Sequence, residues 1–254
     1  MARQARKKSK TGIYHVMLRG INHQMIFEDE EDSQKFLETL RDYQEISGYN
    51  IYAYCLMGNH IHLLMREGEE DIGNVFKRIG VSYVYWYNWK YERRGHLFQD
   101  RFKSEVVEND EYFQVVIRYI HQNPLKAGMV DDIKDYKWSS YNEYMDKAKF
   151  CEIDFALDML SKDRSQAVEM FKKYNNTKNQ DQCLDYDMVK RLKDSEAREL
   201  IIEIAGVGNP TEIAKFDKAR RREILVAFKD TGISLRQFSR LTGISVGVIR
   251  GAWN

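Results

Sequence analysis

Two β-rich runs, Tyr49 to Met57 and His60 to Met65, stand only two residues apart, and the residues between them are Gly58-Asn59. A connection that short leaves one outcome: the chain turns back on itself and the runs pair as antiparallel neighbours. Everything else must be arranged around that hairpin. Upstream, Ile13 to Leu18 (IYHVML) reads as another strand ending at Arg19-Gly20, and Glu30 to Ile46 sets Phe36, Leu37, Leu40 and Tyr43 at helical spacing before Gly48. Downstream, Ile72 to Tyr91 carries Val75, Ile79, Tyr83 and Trp86 along one helical stripe that ends at Arg93-Arg94-Gly95. Phe102 to Val107 alternates as a fourth strand. After an Asn109 or Asp110 cap, Tyr112 to Gln122 continues as a helix, stopped by Asn123-Pro124.

Strand, helix, hairpin, helix, strand is the split βαβ order of an α+β, ferredoxin-like antiparallel sheet sandwich, here with one more helix after the last strand. Beyond about Tyr144 no strand is predicted, and the polar stretch KKYNNTKNQDQ (172–182) reads as a linker or long loop. The remainder reads as an all-helical C-terminal domain. Ala214 to Phe228 is a basic amphipathic helix, Thr231-Gly232-Ile233 a turn, Ser234 to Leu241 a helix, Thr242-Gly243-Ile244 a turn and Ser245 to Trp253 a last helix, which is helix-turn-helix spacing. The expected organisation is a basic arm over 1–11, a sheet domain over 12–145, a helical connector over 146–185 and a helical domain over 186–254 whose helix-turn-helix spans about 231–253.

Composition narrows the function classes. In 254 residues, 43% hydrophobic and 13% aromatic content exclude disorder as the main state, and 40 basic against 39 acidic residues give no global pull on polyanions. Any nucleic-acid surface must come from locally segregated charge. Three cysteines, Cys55, Cys151 and Cys183, form no CxxC pair, which argues against a disulfide framework and a thiolate zinc site. With no apolar run long enough to span a bilayer and no secretory signal, the expectation is a soluble cytoplasmic protein without a membrane partner.

In Asn59-His60-Ile61-His62 the histidines lie two apart on a strand, so both imidazoles share a sheet face and Ile61 takes the other. Such a pair holds a divalent ion only with a third ligand from elsewhere, and the same pattern also suits two half-exposed polar strand residues. On the later helix Tyr119 and Asn123 stand at i and i+4, a phenol and an amide oxygen on one side. Near a metal-bound phosphodiester the phenol is a nucleophile and the amide a third ligand; without a metal, Tyr119 is simply a packed tyrosine. His15 lies on the first strand, where a satisfied sheet histidine is the simpler reading, so it is left out of the metal set. Arg3, Arg6 and Lys7 of the basic arm, with Arg19, Arg101 and Lys103 beside the sheet, are candidate phosphate contacts or solvated charges. In the cluster Tyr83, Tyr85, Trp86, Tyr87, Trp89, Tyr91, the first and third fit the core stripe, and the exposed members could stack on bases.

Five segments, GIYHVMLRGINHQMIFED (12–29), MGNHIHLLM (57–65), HLFQDRFKSEVVE (96–108), RYIHQNPLKAGMV (118–130) and YKWSSYNEY (136–144), together resemble the HUH single-tyrosine transposases (IS200-like), and among them the REP-associated tyrosine transposases, over about residues 10–145. The resemblance implies the HUH endonuclease fold and cleavage of single-stranded DNA at or near hairpins through a covalent 5′-phosphotyrosine, with strand transfer. It implies Tyr119 as nucleophile and His60 and His62 as metal ligands, with Asn123 at the position of the helix-borne third ligand, one methylene shorter than the Gln often found there. Hard-oxygen substrates and mixed N/O ligands point to Mg²⁺ or Mn²⁺. DTGISLRQFSRLTGISVGVIRGAW (230–253) resembles the helix-turn-helix of DnaA-type and repressor-type domains, which implies duplex DNA as a second partner through Arg236 and Arg250, with Lys215, Lys218, Arg220, Arg221 and Arg222 as a basic band upstream. Monomer and homodimer both stay open. Two other classes remain: a non-catalytic DNA-binding regulator keeping the same fold, and a metallohydrolase using Glu105 or Glu108 as extra ligands.

Overall fold

In the computed structural model of the chain, which describes residues 6–185, 194–229, 231 and 233–253, four strands pair wholly antiparallel. They are β1 (Ile13–Arg19), β2 (Asn50–Met57), β3 (His60–Arg66) and β4 (Lys103–Val106), in the spatial order β2-β3-β1-β4. Gly58-Asn59 closes the β2–β3 hairpin, with Met57 opposite His60. Contacts divide the chain into two units, Met1–Asp185 and Tyr186–Asn254. Among the described residues no helix is long and apolar enough to cross a membrane.

In the first unit, strand alternation builds two cores. Tyr14, Val16 and Leu18 of β1 and Ile61, Leu63 and Met65 of β3 face α1 (Glu30–Ser47) and α2 (Ile72–Lys90), where they meet Phe36, Leu40, Val75, Phe76, Ile79 and Tyr83. Asp29 and Asp32 form a reciprocal capping box at the start of α1. The opposite face presents Ala53, Cys55, Met57 and Leu64 to Phe113, Val116, Ile117 and Ile120 of α3 (Asp110–Lys126).

Helix α3 does not stop at Asn123-Pro124, as the proline rule predicts. It continues through Pro124 to Lys126, and Gly128 ends the turn with its N–H on the Leu125 carbonyl. A proline in the last turn removes only one helical hydrogen bond, while Ile120, Asn123 and Pro124 are all buried. Packing outweighs the local preference.

Residues 146–185 also differ from their expected role as a connector. Their helices α5 (Asp154–Asp158) and α6 (Arg164–Asn176) join α4 (Tyr141–Met145) in the second core, burying Tyr144, Ala156, Leu157 and Phe171. The polar run at 172–182 therefore begins inside a helix, and its Asn175 is buried with Oδ1 3.1 Å from His121 Nδ1. Side-chain polarity was misleading there because the amides are spent on partners within the fold.

Backbone groups of β2 are met from the same region. Leu56 N–H donates to Trp138 O (2.9 Å), Ser140 N–H to Tyr54 O (3.0 Å) and Glu152 N–H to Ile51 O (2.8 Å). Glu143 fastens the returning chain: one carboxylate oxygen accepts the N–H groups of Lys149, Phe150 and Cys151 at 2.8, 2.8 and 2.9 Å, and the other accepts the Tyr54 hydroxyl at 3.1 Å.

The second unit is helical: α7 (Asp194–Ala205), a 3-10 turn (Pro210–Lys215), α8 (Lys218–Ala227), α9 (Leu235–Thr242) and α10 (Val246–Trp253) around Ile201, Ile213, Leu225, Phe228, Phe238 and Ile249. The single helix predicted over Ala214 to Phe228 is broken at Phe216, and Asp217 caps α8 through the N–H groups of Ala219 and Arg220. Gly243 turns α9 into α10 with φ 76°, a conformation that favours glycine. Gly232, of the other expected turn, lies outside the described residues.

Glu143→Ala strips three backbone donors and a tyrosine hydroxyl of their acceptor at a buried site. Urea denaturation is expected to show a loss of about 3 kcal/mol or more, since each orphaned buried donor costs about 1–3 kcal/mol. A loss under about 1 kcal/mol would mean that this network contributes little to the unit.

Candidate active site

The register of β1 decides which side chains share the face under α3. Met17 stands opposite His62 on one side and Lys103 on the other, His15 opposite Glu105, and Arg19 opposite His60. Directly paired residues lie on the same sheet face, so His15, Arg19, His60, His62, Lys103 and Glu105 all belong to it.

His60 and His62 come together as the two-residue spacing predicts, with ring centroids 5.0 Å apart and edges crossed. Their environments differ. His60 is half-buried with Nδ1 2.7 Å from Asn59 Oδ1, whereas His62 is fully buried with Nδ1 3.0 Å from His15 Nε2. Burial, reinforced by the neighbouring histidines, pushes the His62 pKa well below its ordinary value, and burial takes His15 down to about 3 against the opposing pull of Asp185. Both rings are thus neutral at physiological pH.

Tyr119 rests its ring edge-on against both buried imidazoles, at centroid distances of 5.7 Å from His62 and 5.9 Å from His15. Its hydroxyl donates to Asp185 Oδ2 at 2.6 Å, and Lys126 Nζ stands 5.1 Å from its ring centroid. Asn123, one turn on, donates Nδ2–H to the Tyr119 carbonyl at 2.9 Å. Asp185 is delivered by a chain segment laid across α3. Gln122 Nε2 donates to Asn175 O and Thr177 O, Arg118 grips Asp181 with two hydrogen bonds of 2.7 and 2.9 Å, and Leu184 N–H reaches Glu105 at 3.1 Å.

The donor set suits a divalent cation. His62 Nε2 is buried with no hydrogen-bond partner among the described residues. In the tautomer in which Nδ1–H donates to His15, that nitrogen carries the lone pair a metal needs. Among the described residues no three His, Cys, Asp or Glu side chains cluster as a metal site. A cation here would therefore rely on His60, His62 and the Asn123 amide oxygen, completed by substrate oxygens. Glu105 accepts the Tyr112 hydroxyl at 2.6 Å and Glu108 accepts the Lys10 N–H at 3.1 Å, so both carboxylates already have partners.

The basic candidates separate. Arg19 is buried at the end of β1 with its guanidinium against His23, and Lys103 is exposed on the same sheet face. Arg6 and Arg101 instead line a groove beside α2, and Lys7 is exposed. Arg250 is exposed on α10; Arg3 and the Arg236 side chain lie outside the described residues. The residues missed at the sequence level are Asp185 and Lys126. Lys126 carried a usable signal, one turn beyond Asn123 on the same helix, whereas nothing linked Asp185 to a tyrosine 66 residues earlier.

Residues 8–123 match the family model described as Transposase IS200 like. A protein of Haemophilus influenzae named as a REP-associated tyrosine transposase is 29% identical over 106 residues, covering 37% of this chain and 60% of that protein. The REP-associated tyrosine transposase of Escherichia coli is 23% identical over 113 residues, covering 44% of this chain and 65% of its own length. The chain thus spans less than two thirds of either relative. A solved structure of a REP-associated tyrosine transposase bound to a REP hairpin superposes with a TM-score of 0.51 at 18% identity, over 57% of this chain and 86% of that one, a likeness of fold.

The two histidines are not equivalent surface residues, contrary to what the strand pattern suggests. His62→Ala opens a buried gap and strands His15, so it is expected to lower stability by about 2–3 kcal/mol, while half-buried His60→Ala stays within about 0.5 kcal/mol. Urea titration of both variants checks this; equal effects would contradict the burial difference.

Proposed function

We propose, from the match of residues 8–123 to the IS200-like transposase model, that the chain is a metal-dependent single-stranded DNA endonuclease and strand transferase acting at or near hairpins. The observation that carries the reading is Tyr119, held edge-on to His62 with its hydroxyl on a carboxylate, in one chain.

His60, His62 and the Asn123 oxygen would hold Mg²⁺ or Mn²⁺, which when bound supplies charge neutralisation and polarisation of the scissile phosphate. Tyr119 Oη attacks phosphorus in line, and its proton passes to Asp185 Oδ2, 2.6 Å away. The P–O3′ bond breaks, its electron pair leaves on O3′, and the DNA 5′ end stays on the tyrosine as a phosphodiester. Because no water attacks, the bond energy is kept for rejoining to another 3′-hydroxyl. Arg19 and Lys103, on the same sheet face, are placed to counter backbone charge.

In the second unit, α9 and α10 with the Gly243 turn form a helix pair whose exposed Arg250 suits duplex contact, and Lys218, Arg220 and Arg222 are exposed on α8. Duplex DNA is accordingly the proposed second partner.

Incubating the full chain with single-stranded hairpin oligonucleotides and Mn²⁺, then separating on denaturing gels, is expected to give a protein–DNA adduct that chelation abolishes. Mass spectrometry should place the nucleotide on the peptide containing Tyr119, and Tyr119→Phe should form none. An adduct on another tyrosine would overturn the assignment; tight hairpin binding without any adduct would favour the regulator. Asp185→Asn keeps the shape and loses the proton acceptor, so the rate of adduct formation should fall about 10²-fold or more with oligonucleotide affinity unchanged. An unchanged rate would remove Asp185 from the chemistry.

A further inference from the structure

On the side of the sheet away from the histidines, α2 and the segment leading into β4 enclose an open groove of about 980 Å³. Arg6, Lys77, Gly80, Tyr85, Phe98 and Arg101 are among its lining residues. Three features of this groove are not explained by folding. First, Val81, Tyr85 and Trp89 follow one another at i, i+4 and i+8 along α2 and are 66%, 78% and 73% exposed, so this apolar stripe faces solvent while Val75, Ile79 and Tyr83 serve the core. Second, Gly80 sits in the helix interior, where glycine is unfavourable, yet a Cβ there would meet nothing within 4 Å. The fold does not require the gap that the groove uses. Third, among the described lining residues the cations outnumber the carboxylates. Among the described residues neither Lys77 nor Arg101 forms an ion pair, and Arg6 lies 3.6 Å above the Phe102 ring while donating to the Phe102 carbonyl. Two carboxylates share the rim: Asp71, which caps α2 through Gly73 N–H and lies 4.0 Å from Lys8, and Asp100.

We propose that this groove binds an unpaired DNA strand, with a base stacked on Tyr85 and backbone phosphates on Lys77, Arg101 and Arg6. The proposal rests on the DNA-processing reading above and adds a site to it. Aromatic faces beside cations match a single strand, whose bases are free to stack; a duplex would hide them. The groove's position also gives the strand a route. Residues 96–102 line it and Lys103 follows directly, opposite Met17 and on the face that carries His62. A strand leaving the groove around the β4 edge thus arrives beside the candidate active site.

The test uses the full chain carrying Tyr119→Phe, without metal, and a short fluorescein-labelled oligothymidylate followed by fluorescence anisotropy. Tyr85→Ala and Gly80→Leu are each expected to weaken binding on the order of tenfold, and Tyr85→Phe to bind like its parent. Arg101→Ala should reduce the salt dependence of log Kd by about one ion. Gly80→Ala serves as the folding control, with an expected rise in melting temperature. A photocrosslinking 5-iododeoxyuridine oligonucleotide should attach to the peptide containing Tyr85. Tyr85→Ala and Gly80→Leu both binding within twofold of their parent, or polyglutamate displacing the oligonucleotide at equal concentration, would overturn the proposal. Adduct formation at Tyr119 with unaltered binding in these variants would sink the groove alone; lost binding with no adduct from the native tyrosine would sink the catalytic reading and leave the groove standing.

Discussion

The hydrogen bond between His15 and His62 spans the two central strands at a point where both rings are fully buried. A neutral imidazole has one N–H, so the pair must choose a tautomer. If His62 Nδ1 donates, its Nε2 keeps a lone pair turned toward the space that a cation would use; if His15 donates, that nitrogen carries a hydrogen and coordination is blocked. The state of the candidate centre is therefore set by a residue that touches no metal. Burial holds both rings neutral, and α3, which creates that burial, also brings Tyr119 against them.

Much of the first unit was legible because its signals are local. Gly58-Asn59 permits little besides a hairpin, strand alternation separates Tyr14, Val16 and Leu18 from His15, Met17 and Arg19, and Asn109 caps α3 through the Tyr112 N–H at 2.7 Å. Misreadings arose where tertiary packing overruled a local rule. Pro124 is carried inside a helix because its surroundings are buried, and Asn175 is a polar residue whose partner is supplied by the fold.

The site was legible by half. Spacing alone aligned His60 with His62 and Tyr119 with Asn123, since period two and period 3.6 are properties of the chain itself. Spacing could not tell that one histidine would be sealed and the other half-exposed, because that depends on α3 and on the strand neighbouring each. Asp185 was beyond reach for a related reason. It arrives through Arg118–Asp181 and Gln122–Thr177, contacts between segments far apart in the chain, and lies past the 8–123 stretch that carries the family likeness.

The bonds that Trp138, Ser140 and Glu152 make to β2 have a consequence for association. Leu56, Tyr54 and Ile51 spend main-chain groups on their own chain, so the outer side of that strand is no template for a neighbour's strand. Two copies could not merge their sheets across β2 into one continuous sheet. Any pairing on that side would have to be built from side chains laid over the returning segment, and misfolding by edge-to-edge stacking is suppressed there by the same few bonds.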